Sequence, residues 1–170
     1  YLDAIGWRGI RQRKRHLQEL IHRTLDRLHA DGQPLQIVDI AAGHGRYVID
    51  ALENSTHEAV SARLRDYSAL NVREGQGLIA AKGLQARVGF EQGDAFDADS
   101  VAAVAPRPSL GIVSGLYELF PDNGMLERSL AGLAKAVLPG GYLIYTGQPW
   151  HPQLEMIARA LTSHRGGQAW

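Results

Sequence analysis

The chain contains no cysteine. Disulfides and cysteine-ligated metals are therefore excluded, a usage compatible with a reducing cytoplasm, where we expect the protein. Neither sign of charge is in excess: 18 Lys and Arg stand against 18 Asp and Glu. Such a balance supplies no global attraction to nucleic acid or to a membrane surface. No apolar run approaches the length of a membrane span. No signal-peptide pattern, internal repeat or low-complexity segment is visible. No Asp/Glu–His metal pattern occurs, so no metal is expected. What is there is 170 residues, 45% of them hydrophobic and 21% charged. That is enough apolar material for one domain with a two- or three-layer core.

The most informative stretch is Leu35-Gln-Ile-Val-Asp-Ile-Ala-Ala-Gly-His-Gly-Arg-Tyr-Val48. A short apolar run, Ile37 to Ala42, leads to Gly43 and Gly45, and an amphipathic helical pattern starts near Tyr47. This reads as strand, tight glycine turn, helix. Glycine permits positive φ and close approach of a ligand to the main chain. The N–H groups that open the following helix favour negative groups. Asp39 closes the strand just ahead of the turn. The pattern fits a nucleotide-like cofactor site, and it also fits an ordinary strand-to-helix turn.

Residues 1 to about 30 read as a helix, with Leu17, Leu20, Ile21, Leu25 and Leu28 on one apolar stripe. We take residues 1–34 as an N-terminal helical cap on a domain of residues 35–170. The basic run Arg8-Gly-Ile-Arg-Gln-Arg-Lys-Arg15 reads as a solvated helix face. Its functional alternative is an anion contact to a substrate phosphate or lipid headgroup, with Tyr1 and Trp7 making a cofactor lid conceivable. Asp31-Gly-Gln-Pro34 ends the helix. Strands are expected at about 35–41, 60–65, 86–91, 110–114 and 142–146. Helices are expected at about 45–54, 69–82, 97–104, 126–138 and 153–163. Pro121-Asp-Asn-Gly124 reads as a turn.

Five alternations of strand and helix imply a doubly wound, mainly parallel sheet in a three-layer α/β/α arrangement. Asp66 then falls at the carboxyl end of the second strand, where an acid is placed for ribose hydroxyls; Ser68 beside it reads as a helix cap. Asp94 reaches the same edge after the third strand. There its carboxylate is suited to an exocyclic amine, with Phe96 flanking a base.

Three acids closing three successive strands, the two glycines after the first, and Leu138-Pro-Gly-Gly141 before the fifth resemble class I S-adenosylmethionine-dependent methyltransferases. The resemblance covers about 35 to 147 and implies their Rossmann-like fold. More narrowly, Asp39 to Val48, Leu64-Arg-Asp-Tyr-Ser68 with Asn71-Val72, and Gly115 to Asp122 resemble a methyltransferase domain that follows an α/β-hydrolase domain in bifunctional bacterial proteins. That resemblance, together with a chain opening on Tyr1, implies a piece of a longer polypeptide. By the resemblance, Asp39, Ala41, Gly43 and Gly45 surround the methionine part of S-adenosylmethionine. Asp66 binds ribose with Tyr67 beside the adenine. Asp94 meets the adenine amine and Ala95 gives a backbone contact. Ser114, Gly115 and Leu116 line the methyl-transfer channel. Two departures stand out. Ala41 replaces the first glycine of the usual Gly-x-Gly-x-Gly, and the antiparallel strands that normally close the fold have no counterpart in the sequence.

Methyl transfer from a sulfonium mainly requires that the nucleophile be positioned, and a base only where the acceptor must lose a proton. Tyr117 and Glu118, just after the fourth strand, are the foremost catalytic candidates. Glu118 reads equally as a first-turn acid favoured by the helix dipole. His44, a turn residue expected to face solvent, and His151 come next. The acceptor is expected to be a small or lipid-like molecule. Nucleic acid is disfavoured by the charge balance, and Ser114-Gly-Leu-Tyr117 stands where a base-methylating Asn-Pro-Pro-Tyr would be. The alternatives are a cofactor-binding or regulatory module without turnover, and an NAD-dependent oxidoreductase.

Overall fold

The computed structural model describes residues 3–148 and 150–160. The expectations for Tyr1 and for positions 161–163 of the last helix lie outside the described residues. Elements follow in the order α1 Ile5–Ala30, β1 Gln36–Asp39, α2 Arg46–Glu53, β2 Ser61–Asp66, α3 Ala69–Ala81, β3 Val88–Gln92, α4 Ala98–Ala102, β4 Leu110–Val113, a 3-10 turn Tyr117–Leu119, α5 Asn123–Ala136, β5 Tyr142–Tyr145 and α6 Leu154–Ala160.

The strands form one sheet in the order β3-β2-β1-β4-β5, and every pairing is parallel. Asp39 sits opposite Leu64 of β2 and Ile112 of β4. Chain order therefore reverses between β1 and β4. A crevice at such a switch point lies outside the carboxyl ends of the strands, where ligands of open α/β sheets bind. The expected doubly wound, Rossmann-like architecture is thus present, and no antiparallel pair occurs among the described residues.

Alternation along each strand sends side chains to two layers. Ile37, Leu110 and Ile112 pack with Leu17, Ile21, Leu25 and Leu28 of α1 and with Val48 and Leu52 of α2. Val38 and Val113 pack on the other face with Val101 of α4 and Leu133 of α5. Full burial of a Leu or Ile side chain contributes about 1.5–3 kcal/mol, so the α1 stripe anchors the first layer firmly. Leu20, expected on that stripe, is instead 42% exposed. The buried positions recur mostly every fourth residue, and position 20 is rotated off them toward the cavity described below.

Boundaries moved where side chains compete with propensity. Pro121-Asp-Asn-Gly124 is not a free turn: Asp122 caps α5 by accepting from the Gly124 N–H at 2.8 Å, so the helix starts at Asn123. Strand β1 ends at Asp39 rather than 41 because the chain then turns. Ile40 still bonds to the Ile112 carbonyl, while Ala42 bonds to the Arg65 carbonyl.

Candidate cofactor and acceptor site

The strand ends bring together most of the residues singled out in the sequence. Gly43 and Gly45 take φ of 57° and 69° in the turn after β1. A Cβ at Gly45 would lie 2.5 Å from Leu64 Cδ1, so both the positive φ and the packing require glycine. The turn is tied to β2 by Asp66, whose Oδ2 accepts from the Gly43 N–H at 2.8 Å. Its Oδ1 accepts from Ser68 N–H at 2.9 Å and Asn71 Nδ2 at 3.0 Å. Ser68 caps α3, so capping and the acid's placement coexist. An ionised carboxylate has about four acceptor positions, which leaves Asp66 capacity for a further donor.

Asp39 is fully buried. Its Oδ1 accepts from the Ala41 N–H at 3.2 Å, and its Oδ2 accepts from the Tyr47 hydroxyl. Burial pushes the Asp39 carboxyl up to about 7, against the lowering effect of these two donors. Burial also holds the Tyr47 hydroxyl well above its ordinary range.

At the far end of the edge, Asp94 is exposed and accepts from the Phe96 N–H at 2.8 Å. Ala95 is buried, and the Phe96 ring meets that of Phe120 edge-on at 4.8 Å. Tyr67 is 75% exposed and lies at the same edge after β2. Ser114, Gly115 and Leu116 follow β4, half-buried, and the Gly115 N–H donates to Thr146 Oγ1 at 2.9 Å. Leu116 and Ala41 pack against the second core layer.

Beside this edge lies a cavity of about 750 Å³. Ile5, Ile10, Arg13, Leu17 and Leu20 of α1 form one wall; Gly115, Glu118 and Leu119 form a second, and Ile144 to Gln148 with His151 a third. The two foremost catalytic candidates part company here. Glu118 lines the cavity, whereas the Tyr117 side chain is buried in the second layer and donates its hydroxyl to Ser129 at 2.9 Å. Burial raises the Tyr117 hydroxyl above its ordinary value, with the Ser129 contact acting the other way. His151 lines the cavity, and its Nδ1 accepts from the Gln153 N–H at 3.0 Å. His44 does not simply face solvent: its Nε2 lies 2.8 Å from Glu74 of α3.

Arg13 is the residue that the sequence reading did not single out. It donates to Glu118 Oε1 at 2.9 Å, and a Cβ at Gly115 would lie 3.1 Å from Arg13 Nη2. A signal was present. Position 13 is four residues before Leu17, on the face that the buried stripe continues. Lys14 also leaves the solvated face to pair with Asp50 at 2.6 Å, while Arg8 and Arg15 stay exposed.

The residues present fit an adenosyl cofactor by their chemistry. Amides at the start of α2 suit a carboxylate, carboxylates at β2 and β3 suit hydroxyls and an amine, and Tyr67 and Phe96 offer aromatic surface. Among the described residues no helix is long and apolar enough to cross a membrane.

Known proteins share this architecture. A possible exported protein from Bordetella parapertussis superposes with a TM-score of 0.69 at 18% identity, over 89% of this chain and 53% of that one. A SAM-dependent methyltransferase from Geobacter sulfurreducens, crystallised with S-adenosyl-L-homocysteine, superposes with a TM-score of 0.52 at 21% identity, over 74% and 47%. In sequence, the uncharacterized protein YnbC of Escherichia coli strain K12 is 63% identical over 171 residues. The match takes in 100% of this chain and 29% of YnbC, so the chain spans less than a third of that relative's length. A family model described as "Putative methyltransferase" matches residues 1–170, and the chain belongs to that family.

Proposed function

We propose that this chain binds S-adenosylmethionine along the carboxyl edge of β1, β2 and β3 and methylates a small or lipid-like acceptor held in the cavity under α1. The observation that carries the reading is the placement of Asp39, Asp66 and Asp94 along the carboxyl edge of β1, β2 and β3, with Asp66 bonded to the Gly43–Gly45 turn, next to a cavity that Gly115 lines. The S-adenosyl-L-homocysteine in the Geobacter sulfurreducens methyltransferase supports the choice of cofactor.

The proposed roles follow from position. The α2 N-terminus, Gly43, Gly45 and Ala41 hold the amino-acid end, with Asp39 beneath them. Asp66 takes the ribose hydroxyls; Tyr67, Asp94 and Ala95 take the adenine. Ser114, Gly115 and Leu116 border the path to the acceptor. When bound, the cofactor supplies an activated methyl group, whose carbon–sulfur bond breaks with its electron pair left on sulfur. The chain's task is to align the acceptor and exclude water. Glu118 rather than Tyr117 is assigned the proton-accepting position, because it lines the cavity and Tyr117 is committed to Ser129. The proposal includes a cytoplasmic setting and a linked α/β-hydrolase domain, for which the unmatched length of YnbC leaves room.

Calorimetric titration with S-adenosylmethionine, S-adenosylhomocysteine and NAD tests the reading. Micromolar binding of the adenosyl ligands without NAD binding is expected. NAD binding alone would turn the assignment to an oxidoreductase, and no binding to folded protein would overturn it.

A further inference from the structure

Arg13 meets Glu118 through a single bond, Nη1 to Oε1 at 2.9 Å. Arginine and carboxylate commonly join by two parallel bonds. Here the second is not made: Glu118 Oε2 takes no donor, and Arg13 Nη2 no acceptor, among the described residues. Nη2 lies against Gly115 instead, 3.1 Å from where a Cβ would stand. The Arg13 side chain is 32% exposed and lines the cavity. A guanidinium carries five N–H donors, so Arg13 keeps donors for a ligand.

Two sets of contacts place that guanidinium at the crevice between β1 and β4. On one side is Gly115, just past the end of β4 at Val113, and β4 sets Ile112 opposite Asp39 of β1. On the other side Lys14 ties α1 to α2 through Asp50 at 2.6 Å, and Tyr47 stands one turn before Asp50. The Tyr47 hydroxyl, pushed up by burial and by Asp39, is drawn back by the charge of Arg13. Arg13 therefore acts on the turn of α2 that follows Gly43 and Gly45.

The same crevice is otherwise acidic. Asp66 acts on both Asp39 and Tyr47, and Glu118 adds a third carboxyl. Lys14 is paired with Asp50. A ligand carboxylate entering here meets like charges unless a cation receives it. The amides that open α2 offer partial positive charge. Arg13 offers a full charge on a planar fork that matches a carboxylate. Resting on the methyltransferase reading, we infer that Arg13 binds the carboxylate of the cofactor's amino-acid end, together with the amides that open α2. Glu118 Oε1 holds the guanidinium in place. Arg13 is thereby the residue that tells a cofactor with this carboxylate from one without it.

The test is calorimetric titration with three ligands: S-adenosylhomocysteine, S-adenosyl-3-thiopropylamine, which lacks only its carboxylate, and methylthioadenosine, which lacks the amino-acid end. The parent is expected to bind S-adenosylhomocysteine at least tenfold tighter than the thiopropylamine. Arg13→Met is expected to weaken S-adenosylhomocysteine at least tenfold and to leave the other two within about twofold, which erases the preference. Arg13→Lys is expected to keep part of it. Circular dichroism checks the fold, and if Arg13→Met does not fold, the double variant with Glu118→Gln, which strands no charge, carries the same comparison. Equal parent affinities, a preference that survives Arg13→Met, or equal weakening of all three ligands would overturn the inference while cofactor binding stands. Folded parent that binds neither S-adenosylhomocysteine nor methylthioadenosine would overturn the methyltransferase reading and this assignment with it.

Discussion

The Tyr47 hydroxyl donates to the carboxylate of Asp39, and Asp39 has no exposure to solvent. The acid that ends the central strand is therefore held by one side-chain donor and one backbone donor against a large desolvation cost. Its carboxyl is raised to about 7 from an ordinary 3.8. A carboxyl raised on folding adds stability that is full below its unfolded value and is lost as pH rises through its folded value. Without ligand, the Asp39 contribution should therefore fade between about pH 4 and pH 7, by up to about 4 kcal/mol. Asp39→Asn removes the titration. Urea unfolding should show the variant more stable than the parent at pH 8 and close to it at pH 4. The same difference at both pH values would refute the assignment.

Asp66 joins the glycine turn to β2 through its 2.8 Å bond from Gly43. Asp66→Ala removes that bond and the carboxylate assigned to the ribose. S-adenosylhomocysteine binding should weaken at least tenfold, about 1.4 kcal/mol or more. Unchanged affinity by calorimetry would remove Asp66 from the site.

Gly45 couples the turn to the core. At its φ of 69°, with Leu64 2.5 Å from a prospective Cβ, an alanine meets both backbone strain and overpacking. Each effect costs about 1–3 kcal/mol. Gly45→Ala should lower the urea midpoint accordingly, whereas Gly77→Ala on α3, where a Cβ meets nothing within 4 Å, should not. Equal midpoints for the two variants would contradict this account of the turn.

These residues were legible in the sequence because each has a local signature. Asp39, Asp66 and Asp94 each follow a short strand pattern, and the two glycines mark a turn that no other residue type makes easily. Leu20 was misplaced because helical spacing alone resolves a stripe only to its edges. Asp122 was read as part of a turn because Pro-Asp-Asn-Gly has strong turn chemistry; its capping bond to Gly124 decided the matter. Arg13 and Glu118 are 105 positions apart. Their pairing arises only from the folding of α1 across the end of β4, and a run of like charges gives no hint of which member turns inward.

That Arg13–Glu118 pair makes a quantitative test of the cavity wall. Its side chains are 32% and 10% exposed. Breaking a buried pair from one side leaves an uncompensated charge, costing about 3–5 kcal/mol when burial is complete. With Arg13 one-third exposed, solvent screening brings the expected cost of Arg13→Met down to about 1–3 kcal/mol. Glu118→Gln removes the stranded charge, so the double variant should be more stable than Arg13→Met alone. The two changes should couple by about 0.5–3 kcal/mol. Arg13→Lys should recover part of the loss, since an ammonium restores the charge but not the planar fork. Strict additivity in urea unfolding would show that the two side chains are neighbours without energetic linkage. Glu118 would then have to be held at the cavity wall by its own packing rather than by Arg13.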